Sequence, residues 1–163
     1  ADLNTGRSRA SAAGTYTAAI ISGGQTPTTG ATELWNGSAW TEVADLNTAR
    51  QQLSGSGAGT STDTIVFAGS PPNRALTETW NGTSWSEVNN YITGRRNTTQ
   101  IGSVYASILV GGCQTWTSKK FAEEWNGHSW AAAPDLPDIS GSIIGFGTQN
   151  DAYAVLQNPK TQN

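Results

Sequence analysis

The sequence predicts an all-β fold built from copies of one small four-stranded sheet. Three observations carry the prediction. An octet that opens on Glu and closes on Trp occurs three times, as Glu33 to Trp40, Glu78 to Trp85 and Glu123 to Trp130, at an offset of 45 residues each time. A short aliphatic run ending in glycine precedes each octet: Ile20 to Gly24, Val66 to Gly69 and Leu109 to Gly112. A polar crossover ending in Arg leads into each unit, from Ala1 to Arg7, Ala44 to Arg50 and Asn89 to Arg95. Self-similarity at a fixed period of this length marks a repeat architecture. No segment shows the periodicity of an amphipathic helix.

Each unit reads as four strands. In the first, Arg9 to Ala13 is a run of small residues, Tyr16 to Ser22 is apolar and β-prone, and Thr32 to Trp35 and Ala39 to Val43 flank Asn36-Gly37. Asn-Gly between two strand-like runs is a strong hairpin signal. It predicts a type I′ turn, in which both central residues take positive φ. The opening strands are small in other units too, as in Ala10 to Gly14, Ser54 to Gly57 and Ser140 to Ser142. Small side chains suit innermost strands crowded about an axis, and the Trp residues fall in the outer strands, where neighbouring sheets have more area to cover. Two-residue insertions fall at turns, one before Asp63 and one between Gly112 and Glu123. Four-stranded units of this size predict a β-propeller.

The unit resembles the kelch repeat, the blade of galactose-oxidase-like propellers. The kelch pattern of a double glycine, an aromatic in the third strand, a Trp in the fourth and an Arg entering the next unit falls on Gly23-Gly24, Trp35, Trp40 and Arg50. Unit two departs from it with Ala68-Gly69, and Trp stands in the third strand where Tyr is more usual. The resemblance implies a kelch-like β-propeller arc in a single domain over residues 1–163. Its three complete four-stranded blades cover about 8–43, 51–88 and 96–133, and the first hairpin of a fourth covers 140–157. No third or fourth strand follows Gln157. Residues outside this sequence, or further copies of it, are therefore expected to complete the ring, and a longer parent polypeptide is the favoured source. The fold brings no activity with it.

Composition narrows the function. Charged residues are only 13% and the net charge is -3, so there is no basic footprint for nucleic acid. No apolar run is long enough to span a bilayer. The single Cys113 excludes an internal disulfide and multi-cysteine zinc sites, and the single His128 excludes any site needing two imidazoles. Motifs for nucleophilic, metallopeptidase or phosphate-binding chemistry are absent. The copper site of the galactose-oxidase type, with paired imidazoles and a crosslinked Tyr–Cys, has no counterpart. No catalytic residue, metal or cofactor is expected.

The repeated side chains read as architecture. Glu33, Glu78 and Glu123 each share a strand face with Trp35, Trp80 or Trp125 two residues on, and are expected to point at a neighbouring blade. Arg7, Arg50 and Arg95 are their expected ion-pair partners, and buried pairs of this kind would fix register. Trp40, Trp85 and Trp130 complete the set of aromatics covering surface between blades. Trp116 alone escapes the repeat. It lies in the longest loop between second and third strands, with Gln114, Lys119 and Lys120. Gln25, Asn73 and Arg74 occupy the matching loops. In a propeller these loops and the crossovers emerge together, and loops on a rigid scaffold carry binding. Together they form a candidate patch with an aromatic anchor and cations.

The expected function is a non-enzymatic binding or structural module whose partners are other protein chains or further copies of itself. Sequences rich in this Trp-Asn-Gly unit look similar to those of virion, tail-fibre and bacterial surface proteins, and low charge with few Lys suits an extracellular or particle-surface setting. A carbohydrate-binding, lectin-like propeller is the alternative, with glycans as partners.

Overall fold

The computed structural model describes residues 1–55, 59–71, 75–114, 117–138 and 143–156. It is all-β. The first sheet is β1 (Ser11–Gly14), β2 (Ala19–Gly24), β3 (Thr29–Trp35) and β4 (Trp40–Val43), paired in chain order. The second is β5 (Ser54–Gly55), β6 (Thr64–Phe67), β7 (Thr77–Trp80) and β8 (Trp85–Val88). In the third, β9 (Thr99–Gly102) and β10 (Ser107–Val110) precede a small hairpin of β11 (Cys113–Gln114) and β12 (Thr117–Ser118). The sheet then resumes with β13 (Ala122–Trp125) and β14 (Trp130–Ala133). The hairpin accounts for the insertion after Gly112. A terminal pair, β15 (Ile143–Gly147) and β16 (Ala152–Leu156), follows. All pairings are antiparallel. The opening strands touch in series, β1 to β5, β5 to β9 and β9 to β15, which sets the sheets side by side in a propeller-like arrangement.

Apolar layers lie between the sheets. Ala13 and Ile20 of the first meet Val66, Trp80 and Trp85 of the second. Ile65 and Phe67 of the second meet Val104, Leu109 and Trp125 of the third. Ile101, Val110 and Ala122 of the third meet Ile143 of the terminal hairpin. Successive residues of β6 thus serve opposite layers, and the strand is buried at every position. A strand covered on both faces is apolar throughout and shows no alternation.

Indole N–H groups fix the stacking. Trp35, Trp80 and Trp125 donate from Nε1 to the carbonyls of Tyr16, Ser61 and Val104 in the first turn of their own sheets, at 2.7, 3.0 and 2.9 Å. The second indole of each octet reaches the sheet before. Trp85 Nε1 donates to Thr32 Oγ1 at 3.0 Å and Trp130 Nε1 to Thr77 Oγ1 at 3.1 Å.

Three local expectations are corrected. The second strand starts at Ala19 and not at Tyr16, because residues 15–18 form a tight turn. Thr15 N donates to Ala18 O at 2.8 Å, and the Thr15 hydroxyl accepts from Ala18 N. Thr60 and Ser103 build the same turn in the other sheets. A hydroxyl that engages nearby backbone competes with strand pairing there.

The Asn-Gly loop is not a type I′ turn. Trp35 pairs with Trp40 across a four-residue loop in which Gly37 takes positive φ and Asn36 does not. Asn36 acts through its side chain: Oδ1 accepts from Ser38 N and Ala39 N at 2.9 and 3.0 Å. Asn81 and Asn126 do likewise. This is the Asx-turn use of asparagine.

The opening strand of the terminal hairpin begins at Ile143, after the small Ser140-Gly141-Ser142 run, which lies outside the described residues, as does Gln157. It carries Ile144 and Phe146, so small residues make up the opening strand in the first and second sheets but not in the terminal hairpin.

The double glycine turns each second strand back to the crossover. Gly24, at φ +126°, brings Gln25 into a two-way backbone pair with Ser8, and Ser70 and Cys113 pair with Gln51 and Arg96 in the same way. A Cβ on Gly24 would lie 2.9 Å from Ser8 O. Ala68 holds φ +64° at the first bend position, a left-handed conformation that costs a non-glycine residue free energy.

Gly24→Ala is expected to lower stability by about 1–3 kcal/mol in urea denaturation, while Gly6→Ala, with open space around it, stays within about 0.5 kcal/mol. Thr32→Val keeps the shape and strands the buried Trp85 N–H. It is expected to cost about 1–3 kcal/mol in the same measurement.

Candidate functional site

Each crossover is tied to the start of the third strand, or to the loop just before it, in the sheet it leaves. Leu46 N donates to Gly30 O at 3.0 Å, Tyr91 N to Ala75 O at 3.2 Å and Leu136 N to Lys120 O at 2.8 Å. These bonds recur at the period of the repeat and make one rim of loops and crossovers. Four of the candidate binding residues sit on it. Gln25 follows the glycine bend, Gln114 lies in β11, and Lys119 donates its backbone N–H to Gly112 O at 2.8 Å. Lys120 Nζ stands 3.7 Å from Asp135 Oδ2 with both side chains largely in solvent, a pairing worth little. Among the described residues no hydrogen bond or ion pair joins these four to one another. Asn73, Arg74 and Trp116 lie outside the described residues.

The repeated charges are brought together below this rim. Arg50 Nη1 pairs with Glu78 and Arg95 Nη1 with Glu123, all four side chains being almost wholly buried. Arg7 Nη2 lies 3.1 Å from Glu33 Oε1 but is not aligned as a hydrogen bond. The Arg50 and Arg95 guanidiniums also hold backbone, whereas that of Arg7 makes no hydrogen bond. Arg50 Nε donates to Ala68 O in the glycine bend at 3.0 Å and its Nη1 to Thr48 O at 3.0 Å. Arg95 repeats both bonds, to Gly111 O at 2.8 Å and Thr93 O at 3.0 Å. The carboxylates accept from the crossover as well. Asn4 N and Asn47 N reach Glu33 and Glu78 at 2.8 Å, and Ile92 N reaches Glu123 at 2.5 Å. Each pair therefore clamps a crossover to the sheet it enters. Both oxygens of each of these three carboxylates face a guanidinium or a crossover amide.

Tyr91 joins the third clamp. Its hydroxyl donates to Arg95 O at 2.7 Å and accepts from Arg95 N at 3.0 Å, and the Arg95 guanidinium lies over its ring. Burial pushes the phenol up to about 12.

At the other end, a groove of about 500 Å³ opens between the second and third sheets. Thr62, Asp63, Asn81 and Tyr105 border it, and the buried Trp80 and Trp125 back it. The exposed Tyr105 hydroxyl donates to the Asp63 carboxylate across the gap, and that bond holds the phenol above its ordinary range. This pair was not read from the sequence, because both residues break the repeat: Ala18 and Ala106 match Asp63, and Thr17 and Thr62 match Tyr105. The departure itself was the available signal. Among the described residues no three His, Cys, Asp or Glu side chains cluster as metal ligands. No helix is long and apolar enough to cross a membrane.

No protein-family model and no curated protein matches the chain. Among solved structures it is similar to one titled "Structure of YjhT", with a TM-score of 0.73 at 12% identity over 95% of this chain. At that identity the likeness is one of fold. The chain spans 59% of the length of that structure's chain.

Replacing Arg50 by Met leaves Glu78 buried without its cation and is expected to cost about 3–5 kcal/mol in urea denaturation. Adding Glu78→Leu recovers part of the loss, which a double-mutant cycle reads directly. Tyr91 binds its proton more tightly folded than unfolded. Its contribution is therefore complete below pH 10 and is lost as pH rises towards 12, by about 3 kcal/mol. Denaturation midpoints across that range are expected to fall less steeply in Tyr91→Phe.

Proposed function

We propose that this chain is a kelch-type propeller segment acting as a non-enzymatic binding or structural module on an extracellular or particle surface, with its loop-and-crossover rim as the protein-contact surface. The observation that carries the reading is the row of backbone bonds from Leu46, Tyr91 and Leu136 to Gly30 at the start of β3 and to the loops at Ala75 and Lys120. These make the rim a continuous ledge on rigid sheets, the setting in which loops bind. The repeated Glu and Arg side chains support it further, since they neutralise one another inside the fold. Lys119 and Lys120 give the rim two of the chain's three lysines.

Carbohydrate binding is the second reading. The groove favours it, because the exposed Tyr105 ring offers a stacking surface beside the Asp63 carboxylate, an acceptor for sugar hydroxyls.

Amine-reactive cross-linking in the source cell or particle tests the first reading. Lys119 and Lys120 are expected to link to a second polypeptide, and Lys119→Ser/Lys120→Ser to abolish the link. No link from either lysine, together with saturable glycan-array binding lost in Tyr105→Ala or Trp116→Ala, would establish the lectin reading instead.

A further inference from the structure

The face that the third sheet turns to its predecessor has three features, the first and last of which the second sheet shares. Its third-strand indole is buried, with Trp80 and Trp125 each 1% exposed. Its first turn packs on the sheet before, as Val104, 7% exposed, does on Ile65 and Phe67. Its fourth-strand indole donates across the gap to a threonine in the preceding third strand, Trp85 to Thr32 and Trp130 to Thr77.

The first sheet is built for the same contact and does not make it. Trp35 bonds its own turn at 2.7 Å and lies 5.4 Å from Trp40, as in the other sheets. Yet both indoles are partly exposed, and Tyr16, in the place of Val104, is 91% exposed. Trp40 Nε1 has no hydrogen-bond partner among the described residues.

We propose that this face takes one more four-stranded sheet of the same repeat, supplied by polypeptide outside these 163 residues, whose third strand presents a threonine hydroxyl to Trp40. The inference rests on the propeller-segment reading above and continues an interface that the chain already makes twice.

A second copy of the chain does not supply that hydroxyl. The three matching third-strand positions are Thr32, Thr77 and Ala122. Both threonines are 0% exposed and already accept an indole, and Ala122 has no hydroxyl and is 3% exposed. The uncovered face at the opposite end belongs to the hairpin β15–β16, which is apolar at Ile144, Phe146, Tyr153 and Val155 and is paired to no third strand among the described residues. A copy docking head to tail would bring that face, and no threonine, to Trp40. The 59% coverage of the similar solved chain agrees with sheets beyond this segment.

Residues 1–43 run from the crossover to the end of β4, so a chain carrying a second copy of 1–43 ahead of Ala1 sets an added Thr32 against the original Trp40. Hydrogen exchange of the Trp40 indole N–H, followed by NMR, is expected to slow about tenfold or more in the fused chain. Thr32→Val in the added unit alone is expected to return it to the rate in the original chain. Unchanged exchange in a folded fusion, or concentration-dependent protection of Trp40 in the original chain, would overturn the proposal.

A second measurement needs no added unit. Trp85→Phe removes an indole that donates to Thr32, and Trp40→Phe removes one that has no acceptor among the described residues. The first is expected to lower the urea midpoint clearly more than the second; equal losses count against the proposal. Neither readout involves the loop rim, so failure here leaves that reading intact, and failure there leaves this one.

Discussion

A buried guanidinium and carboxylate hold each crossover against the sheet it enters, and the remaining geometry depends on that clamp. Arg50 joins three chain segments: its own crossover through Thr48 O, the glycine bend through Ala68 O, and β7 through Glu78, whose carboxylate also takes the Asn47 amide of the crossover. The bend carbonyl lies where the ladder stops, so it needs a donor from elsewhere, and a buried carbonyl without one is costly. Hydrophobic replacements could match the ion pair in stability. They could not satisfy a bend carbonyl, a crossover carbonyl and a crossover amide together. A chain so poor in charge spends a large share of it here, which leaves the surface to Thr, Ser, Asn and Gly.

Once the crossover is fixed, the stacking of sheets follows from the pleat. Glu78 and Trp80 share one face of β7 and look back to the first sheet, while Thr77 looks forward to the third and receives Trp130. A slip of one residue would exchange these faces. It would bury Thr79 where Trp80 belongs and leave two indole N–H groups without acceptors. The directional bonds therefore set the register that the apolar layers, having no direction of their own, only reward.

Much of this order is legible in the residues. Three aligned octets and three Arg-ended crossovers imply repeated four-stranded units and make Glu–Arg pairing a natural expectation. Boundaries were less legible for a local reason. Tyr16 looks like strand on propensity, but Thr15 two positions after Ala13 can close a hydroxyl-capped turn, and the backbone took that option. Asn36 suggested a turn by its backbone and delivers one by its side chain. The groove at Asp63 and Tyr105 was hidden because a repeat-based reading averages away single departures, and both residues are departures.

The two ends of the stack are chemically unlike, and this constrains assembly more than either end does alone. The first sheet offers indoles with an unused donor and an exposed Tyr16, whereas the terminal hairpin offers Ile144, Phe146, Tyr153 and Val155, with Phe146 and Tyr153 stacked at 5.4 Å. Faces that differ cannot form a two-fold, self-matching contact; they can meet only head to tail, which closes as a ring or runs on as a filament. The hairpin also leaves one edge of β16 without a ladder partner among the described residues, and unpaired edges recruit strands indiscriminately. A propeller ring removes both hazards at once, since its next sheet covers the face and its own third strand pairs the edge. That the inner contacts need a threonine at a fixed place makes the sequence of the neighbouring sheet, and not its apolar area, the element that decides which neighbour belongs there.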